Sequence, residues 1–300
     1  NGDSTLGSDL SFDGTFAAFG STASNLVPGD TNVTSDIFIV DRSGGVTGAV
    51  TEQPGTNNPG DDTVTGTITF TDVDLSDHHT VTVTGVSASG VTSGLPDNAT
   101  ILDWVSLGTL TDTTGTGLGG SQPWAFSAED QNFDYLAAGE KLTLTYTGQV
   151  DDGNGGTATQ DVTITVHGTE DVPVIASATQ AATITEDHGT VGTGGESGPE
   201  SASGTITFTD VDLSDVEKST FAPKQVSTTL ANGYTLTTDQ QNALINAFSI
   251  DDATHSTVDG TGTVGWHYNI DDSALDFLGA NDVVTLTYTV QVDDHNGGTA

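Results

Sequence analysis

Apolar and polar residues alternate with a period of two along most of this chain. Val64, Ile68 and Phe70 fall on one face of a predicted strand, with threonines on the other face. The same alternation runs through residues 142–150 and 162–166. A strand with one buried face and one solvent-exposed face is typical of antiparallel sheets packed as a sandwich. The pattern therefore predicts an all-β protein of antiparallel β-sandwiches.

One segment departs from this alternation. The stretch TDQQNALINAF begins at Thr238 and has helical spacing. Thr238 is expected to cap a short helix, with Gln241 completing a capping box.

Long stretches of the sequence occur twice. GTITFTDVDLSD is identical at residues 66–77 and 204–215, and LTYTGQVDDGNGGTA at 144–158 returns at 286–300 with two changes. The repeat length predicts two tandem domains, at residues 48–172 and 173–300. The second copy lacks the strand TQDVTITVHG that follows in the first. We therefore expect an exposed sheet edge there and a natural polypeptide that runs on.

Residues 1–47 belong to neither copy. Two strand-like runs, TFAAFGS and DIFIVD, flank a turn-rich middle. With the elements SNLVPGDTN and SDIFIVDR, this stretch resembles one blade of the TolB-like bacterial β-propellers. The resemblance implies a partial β-propeller blade at the N-terminal end.

The charge is extremely unbalanced, with 42 acidic residues against 4 basic ones and a formal net charge of −38. This balance argues against nucleic acid as a partner. Such a surface needs counter-ions, and either calcium with its oxygen ligands or a high-salt habitat would supply them. There is no cysteine to form disulfides, so bound metal is one way to stabilise modest cores. No apolar run is long enough to cross a bilayer, and membrane insertion is not expected.

Motifs of catalysis are missing from the sequence. It has no GxSxG, no HExxH and no Cys–His arrangement, so we expect no enzyme activity. Paired acids such as Asp151 and Asp152 are the residue types of glycosidases, but nothing else suggests a sugar cleft. Trp124 and Trp266 recur at matching positions, which favours a core role. Trp104 has no copy and is the better candidate for surface binding of a glycan.

The two copies resemble VCBS repeats, which are cadherin-like or immunoglobulin-like β-sandwich modules of very large secreted bacterial proteins. The resemblance rests on GTITFTDVDLSD, on the Trp124 and Trp266 strands, and on DYLAAGEKLTLTYTGQVDDGNGGTATQDVTITVHGTEDVPV. It implies tandem cadherin-like sandwiches with a role in adhesion, biofilm matrix or spacing, commonly with type I export. Such repeats usually end in GTNDAPV. Here Glu170 replaces the Asn, which keeps an oxygen donor and adds charge.

Acidic clusters in both copies are candidate calcium sites, because calcium takes six to eight oxygens from several loops. The cadherin resemblance implies a site made of a Glu at the end of the first strand, an Asp-x-Asp turn and an acidic linker. The candidate ligands are Asp171, Glu186, Asp187, Asp210, Asp212 and Asp215 in the second copy, and Glu52, Asp72, Asp74 and Asp77 in the first. The second set is the better site, because its acidic linker lies within the repeats. A solvated turn is the alternative for DVDLSD, and a glycine-rich hairpin turn is the favoured interpretation of VDDGNGG.

These observations predict a non-catalytic, calcium-stiffened repeat segment of a large secreted or cell-surface bacterial adhesin or biofilm protein. Calcium ions are the expected cofactor, and surface or matrix glycans or proteins are partners reached through other modules. A glycan-binding module and an accessory domain of a secreted hydrolase are the alternatives.

Overall fold

A computed structural model gives the structure of the chain. It describes residues 6–10, 16–21, 36–41, 46–56, 58–72, 76–116, 119–186 and 198–300. The chain divides into two compact units. Unit one comprises Asn1–Gln53 and Asn57–Thr169, and unit two comprises Pro54–Thr56 and Glu170–Ala300. The boundaries predicted at residues 47/48 and 172/173 stay predictions.

The N-terminal strands form one antiparallel sheet in the order β1-β2-β3. Their bounds are Leu6–Leu10 for β1, Phe16–Ser21 for β2 and Asp36–Asp41 for β3. The runs FAAFGS and DIFIVD are therefore strands, as their composition predicts. Assignment of this sheet to a propeller blade stays a prediction.

The described part of the repeat in unit one contains seven strands and one α-helix. They are β4 Val46–Thr51, β5 Asp61–Phe70, β6 Thr80–Gly90, α1 Asn98–Asp103, β7 Val105–Leu107, β8 Gly120–Glu129, β9 Lys141–Asp151 and β10 Thr157–His167. One sheet has the order β4-β10-β9-β6 and the other β5-β8-β7. All these pairs are antiparallel except β10 with β4.

The two sheets of unit one pack face to face. A Cβ added at Gly48 on β4 would lie 2.9 Å from Val64 on β5, and one added at Gly148 on β9 would lie 2.8 Å from Ile68 on β5. The alternating residues of β9 and β10 are buried against this layer. The buried apolar residues of these two strands are Leu142, Leu144, Tyr146, Val150, Val162, Ile164 and Val166. The predicted β-sandwich is therefore confirmed.

Unit two repeats this plan, and its described residues form seven strands and a longer helix. They are β11 Val174–Ile175, β12 Glu200–Thr209, β13 Lys218–Thr229, α2 Thr238–Asn246, β14 Phe248–Ile250, β15 Thr254–His255, β16 Thr261–Ile270 and β17 Val283–Asp293. One sheet has the order β11-β12-β16-β14, with β15 also on β16, and the other pairs β13 with β17. Short 3-10 turns complete the two units at Thr114–Thr116, Asp130–Asn132, Ala231–Gly233 and Asp272–Ala274.

Both α-helices begin at a polar cap. Helix α2 was predicted, but its cap is Thr237 with Gln240, one residue before the predicted Thr238 and Gln241. The sequence has two adjacent Thr residues and two adjacent Gln residues, so either Thr has a Gln three positions later, as a capping box requires. Thr237 is the cap because its backbone is extended and the helix begins after it. Helix α1 was not predicted, and it is capped by Asp97.

The glycine that begins the repeated GTITF segment lies opposite the repeated Trp in both units. Gly66 pairs with Trp124 across β5 and β8, and Gly204 pairs with Trp266 across β12 and β16. A Cβ at Gly66 would lie 2.4 Å from the Trp124 ring, and one at Gly204 would lie 2.5 Å from the Trp266 ring. Both indoles are buried, as the core interpretation predicts. Each ring therefore packs over a bare stretch of backbone on the neighbouring strand.

Replacing Gly66 by Ala is expected to destabilise unit one, because the new methyl group displaces the Trp124 ring. Overpacking of this kind costs about 1–3 kcal/mol. Urea unfolding followed by tryptophan fluorescence measures the change. The matched control is Gly85→Ala on β6, where an added Cβ meets no atom within 4 Å. Equal unfolding midpoints for the two variants would contradict this account of the repeated glycine.

Candidate metal centre

The DVDLSD segment of unit two forms a buried turn directly after β12. The Asp210 N–H donates to the Gly260 carbonyl at 2.8 Å, which places the segment beside β16. The Asp212 N–H donates to Asp210 Oδ1 at 3.2 Å, and the Asp215 N–H donates to the Asp212 carbonyl at 3.0 Å. Asp210 and Asp212 are only 1% and 0% exposed. The alternative of a solvated turn is therefore wrong for this copy.

The acidic linker lies against the same turn. The Asp171 N–H donates to Asp212 Oδ2 at 2.8 Å, and Asp171 is itself buried. Asp171 Oδ1 accepts from the Gly55 N–H. The sequence-predicted residues Asp171, Asp210, Asp212 and Asp215 thus come together within unit two.

A third segment, the turn after β17, completes the cluster. Asp294 Oδ1 accepts the backbone N–H groups of Asn296, Gly297 and Gly298 at 2.7–3.0 Å, which makes a compact glycine-rich turn. The Asn296 side-chain amide donates to Asp215 Oδ1 at 2.8 Å. The turn interpretation of VDDHNGG is thus correct, but Asp294 also belongs to the acidic site.

Three carboxylates from these three segments converge. One oxygen each from Glu170, Asp215 and Asp294 lies within 4.8 Å of the other two. Oxygens that bind one calcium ion at about 2.3–2.6 Å are at most about 5 Å apart, so this spacing fits a shared ion. We call Glu170, Asp171, Asp210, Asp212, Asp215 and Asp294 the unit-two cluster.

Several oxygens of the unit-two cluster are buried and accept no hydrogen bond from an N–H group or a hydroxyl group. They are both oxygens of Glu170, Oδ2 of Asp210, Oδ1 of Asp212 and Oδ2 of Asp294. In Asp210, Asp212 and Asp294 the other oxygen accepts a backbone N–H, so each side chain is held in place by one oxygen and offers the second. Buried polar atoms are almost always paired, and such a group of oxygen acceptors is the donor set that calcium prefers.

Burial and mutual repulsion raise the pKa of these carboxyl groups. Burial raises the pKa of Glu170 to about 7, and the charges of Asp294, Asp215 and Asp210 add to the shift. Burial likewise raises the pKa of Asp210 to about 7 and that of Asp212 to about 8. Near neutral pH the folded unit therefore binds protons on these carboxyl groups more tightly than free carboxyl groups would.

Two predicted ligands of the second copy are not joined to this site. Glu186 is half-exposed, and among the described residues the converging carboxylates are those of Glu170, Asp215 and Asp294. Asp187 lies outside the described residues. Glu170 and Asp294 are absent from the predicted ligand set. The signal for Asp294 was the acid that both copies carry at this turn, as Asp152 and as Asp294.

In unit one, two of the predicted ligands meet a residue from the matching turn. Carboxylate oxygens of Asp72, Asp77 and Asp152 lie within 4.8 Å of one another, and all three residues are half-exposed. Asp74 lies outside the described residues. Glu52 is buried at a different place in the unit, where its Oε2 accepts the Thr169 N–H and hydroxyl at 2.8 Å each. The four predicted residues therefore do not form one described group.

A contact between a carboxylate and an imidazole lies beside the acidic site of each unit. The position that holds the histidine in unit one holds the acid in unit two, and the reverse is true of its partner. In unit one, His79 Nδ1 lies 3.1 Å from Asp112. In unit two, Glu217 stands at the position of His79 and lies 3.0 Å from His255 Nδ1. Asp112 and His255 also occupy equivalent positions in the two sheets. The residue before Asp112, Thr111, pairs with Ser121, and the residue before His255, Thr254, pairs with Thr263, which is the copy of Ser121.

The imidazole packs on the matching Phe in both units, although His79 directly precedes β6 and His255 lies on β15. His79 packs on Phe70 with ring centroids 4.9 Å apart, and His255 packs on Phe208, the copy of Phe70, at 6.4 Å. Burial by itself would lower the pKa of His79, but the carboxylates of Asp72 and Asp112 outweigh it and raise the pKa. The Thr114 hydroxyl and the His79 N–H hold the pKa of Asp112 well below its usual range. Both pKa shifts favour the ionised form of the pair in unit one.

Replacing His79 by Glu is expected to destabilise unit one by about 3–5 kcal/mol, because it buries a carboxylate against Asp112. Adding Asp112→His recreates the unit-two arrangement and is expected to recover part of the loss. Chemical unfolding of the wild type, both single variants and the double variant gives the coupling energy. Strictly additive losses would contradict the exchange of partners. The reciprocal control is Glu217→His with His255→Asp in unit two.

A separate buried carboxyl lies at the start of β5. Asp62 is buried, and burial, followed by the charges of Asp130 and Asp61, raises its pKa to about 6. Asp130 is fully buried, and its Oδ1 accepts the Gln53 N–H at 2.9 Å. Because the folded pKa of Asp62 lies above its unfolded value, the folded state binds this proton more tightly.

The contribution of Asp62 to stability is complete below about pH 4 and is lost as the pH rises through about 6. Asp62→Asn is therefore expected to gain stability over the wild type between pH 4 and pH 7, by at most about 3 kcal/mol. Urea unfolding in chelator across this range measures the difference. A gain that does not change with pH would contradict the prediction, and Asp103→Asn on the exposed side of α1 is the control.

Trp104, the sequence candidate for glycan binding, is a core residue. Its side chain is buried and meets Phe126 and Phe133 edge-on, with ring centroids 6.2 and 5.4 Å apart. The prediction that Trp104 lies at the surface, which was based on its lack of a copy in the second unit, is therefore wrong. Trp104 offers no exposed ring on which a sugar could stack.

No protein-family model matches the sequence. No curated protein matches it either. Among solved structures, the cadherin-like domains 1 to 4 of zebrafish RET are 11% identical over 94% of this chain and 54% of theirs, with a TM-score of 0.23. CfaE, the adhesive subunit of the CFA/I fimbria of enterotoxigenic Escherichia coli, is 8% identical over 58% of this chain and 57% of its own, with a TM-score of 0.29. Mouse clustered PcdhgC3 EC1-3 is 11% identical over 96% and 77% of the two chains, with a TM-score of 0.22.

The chain spans little more than half the length of the first two of these structures. At TM-scores below 0.5, none of the three likenesses carries an argument about function. In the part of the chain that the structure describes, no helix is both long and apolar enough to span a membrane.

Proposed function

We propose that this chain is a non-catalytic, calcium-stabilised repeat segment of a large secreted or cell-surface bacterial protein of the adhesin or biofilm-matrix kind. The observation that carries the proposal is the unit-two cluster, where buried carboxylate oxygens from three chain segments converge without hydrogen-bond donors for several of them. The tandem repeat of one β-sandwich supports the role of a spacer.

A divalent cation is the simplest way to compensate these buried charges. A buried ionised carboxylate without a partner costs several kcal/mol, and the chain has only 4 basic residues against 42 acids. The oxygen donors of the cluster match calcium, which accepts six to eight oxygens in flexible geometry. Magnesium requires a near-ideal octahedron and gives up its water reluctantly, so it is the poorer fit.

Calcium would stabilise unit two by joining segments that are distant in sequence. The linker at Glu170 and Asp171, the turn at 210–215 and the turn at 293–298 meet only in the folded unit. A ligand that binds only the folded state adds its binding free energy to stability. The same ion would fix the segment Glu170–Pro173 by which the chain enters unit two, and this is the stiffening that we propose.

Dependence on calcium would also delay complete folding until the chain is exported. Extracellular calcium-binding modules have dissociation constants of about 0.1–1 mM, so the site fills outside the cell and not in the cytosol. The chain would then be less stable before export. Many such modules in tandem would hold a distant binding domain away from the cell and add avidity.

Millimolar calcium is expected to raise the melting temperature of unit two, and chelator is expected to lower it. At a calcium concentration 100 times the dissociation constant, the gain is about 2.7 kcal/mol. Asp210→Asn with Asp212→Asn should abolish the response while keeping the hydrogen bonds that these side chains accept. Because the substitution also removes repulsion, this variant should be at least as stable as the wild type in chelator. Calorimetry with and without calcium measures both effects.

The matched control is Asp252→Asn with Asp276→Asn, which makes the same charge change at two exposed positions of unit two. It should keep the calcium response. Sodium chloride and magnesium at matched ionic strength separate specific binding from screening. Identical melting curves with calcium and with chelator would contradict the proposal, and full replacement of calcium by salt would favour adaptation to a saline habitat.

A further inference from the structure

Strand β6 forms one edge of the four-stranded sheet of unit one. In the order β4-β10-β9-β6, its strand neighbour among the described residues is β9. The strand is 11 residues long, and its sequence TVTVTGVSASG contains no charged residue and no proline. An open strand edge offers unpaired N–H and C=O groups to another chain, and natural sheets usually block such an edge with lysine, proline or a very short strand. The β6 edge has none of these three features.

A hydrogen bond at the end of β6 identifies the backbone groups that face the open edge. The Val91 N–H, directly after β6, donates to the Lys141 carbonyl of β9 at 3.1 Å. Backbone groups of successive residues in an antiparallel strand point alternately to its two sides, so residues 89 and 87 also face β9. A bulge between Val83 and Gly85 shifts this alternation by one residue. The residues whose backbone groups face the open edge therefore include Val81, Val83, Val86 and Ala88.

The side chains of the same four residues are apolar and incompletely covered. Val81, Val83 and Val86 are half-exposed, and Ala88 is exposed. The four residues opposite them on β9 are all buried. These residues are Val150, Gly148, Tyr146 and Leu144. A further strand with apolar residues at matching positions would extend the buried layer beyond β6.

The corresponding edge of unit two is blocked. Strand β13 pairs with β17 as β6 pairs with β9. Pro223 of β13 occupies the position of Val86, because each lies opposite the corresponding tyrosine of the neighbouring strand. Proline has no N–H group to donate, so β13 lacks the donor that β6 offers there. Strand β13 also carries Lys218 and Lys224, which are two of the four basic residues of the chain. Of these two equivalent strands, β6 is therefore the one that can accept a partner.

Charge and symmetry indicate which partner fits this edge. Two copies of the chain, each with a formal net charge of −38, repel each other wherever their acidic surfaces meet. The uncharged β6 edge lets two copies approach without like charges directly opposite. Its outward groups also match themselves about a two-fold axis between Thr84 and Gly85, where Val81 meets Ala88 and Val83 meets Val86. A two-fold contact of this kind uses the same patch on both copies.

We propose that the open edge of β6 is a self-association site, at which β6 of a second copy of the chain pairs with it in antiparallel orientation. The contact joins the two four-stranded sheets into one continuous sheet. Main-chain hydrogen bonds connect the strands, and the apolar side chains of one β6 cover those of the other. The site uses no residue of the unit-two cluster, so it is independent of the proposed function.

The first test is the oligomeric state of the full chain in chelator, measured by sedimentation equilibrium against chain concentration. We expect a monomer–dimer equilibrium that shifts toward the dimer as sodium chloride rises from about 0.1 M to about 1 M. The reason is that the Debye length falls from about 10 Å to about 3 Å over this range, which screens the repulsion between the two copies.

Residue-resolved amide exchange by NMR then locates the contact. In the dimer, exchange at Val81, Val83, Val86 and Ala88 is expected to slow by on the order of tenfold or more. The amides of residues 82 and 87 face β9 and should change little. This alternating pattern is specific to pairing at the β6 edge.

Two variants copy the blocking residues of β13 into β6. Val86→Pro removes an outward N–H group, and Thr84→Lys places a lysine at the bulge, where β13 has Lys224. Both are expected to stay monomeric, and neither removes a main-chain hydrogen bond to β9. Melting of the dilute variants checks that unit one remains folded. The matched control is Thr47→Lys on β4, an exposed position at the opposite edge of the same sheet, which should dimerise as the wild type does.

Three results would overturn the proposal. The first is a wild-type chain that stays monomeric at every chain and salt concentration. The second is undiminished dimerisation of both β6 variants. The third is a dimer that protects the amides of another strand, such as β17, and leaves those of β6 unchanged. Because Thr84→Lys lowers the net negative charge, its failure to dimerise could not be explained by greater repulsion between the copies.

Discussion

Burial of carboxylate groups at the turns of the repeat is the constraint on which most of this structure depends. A β-sandwich of this composition has modest apolar cores and many acidic turns, yet the acids of unit two are among its most buried residues. Each of Asp210, Asp212 and Asp294 uses one oxygen to accept a backbone N–H and so shapes its turn. The second oxygen is then fixed in direction by the first. Turn geometry and the acidic site are in this way one structure, and a change to either one alters the other.

The glycines of these turns follow from the same constraint. A Cβ at Gly298 would lie 1.8 Å from Asp294 Oδ2, and one at Gly156 would lie 2.1 Å from Asp152 Oδ2. The carboxylate thus packs directly on glycine backbone in both copies. The glycines of the repeated NGG segment therefore leave space for the Asp side chain and also allow the turn.

Much of the fold could be predicted from the sequence because its signals are local. Alternation of Thr with Val, Ile or Leu identifies strands, and two copies of one pattern identify two equivalent units. Among the predicted ligands, Asp210, Asp212 and Asp215 are neighbours in the sequence itself, whereas Asp171 was grouped with them only through the resemblance to cadherin-like modules. By contrast, Asp294 looked like an ordinary turn residue, since Asp, Asn and Gly favour turns with or without a metal. Its second role depends on a contact with residues about 80 and 120 positions earlier, which no local pattern records.

The burial of Trp104 and the exchange of His79 with Glu217 were beyond sequence reasoning for a related physical reason. A sandwich core accepts a bulky ring wherever the opposite sheet leaves space, so a Trp without a copy can still be core. The exchanged pair shows that the two units keep an acid–imidazole contact at one place and not one residue type at one position. Phe70 and its copy Phe208 both pack against the imidazole, although the two histidines come from different segments of the repeat.

The two units differ in how they achieve stability. In unit one the cluster of Asp72, Asp77 and Asp152 is only half-buried. Its imidazole at His79 also contacts Asp72 at 2.9 Å, which supplies an internal partner for that carboxylate. In unit two the acids Asp210, Asp212 and Asp294 are almost completely buried. Compensation of buried charge therefore matters more at the acidic site of unit two than at that of unit one. A cation would consequently stabilise the unit-two cluster more than it would stabilise the group of Asp72, Asp77 and Asp152.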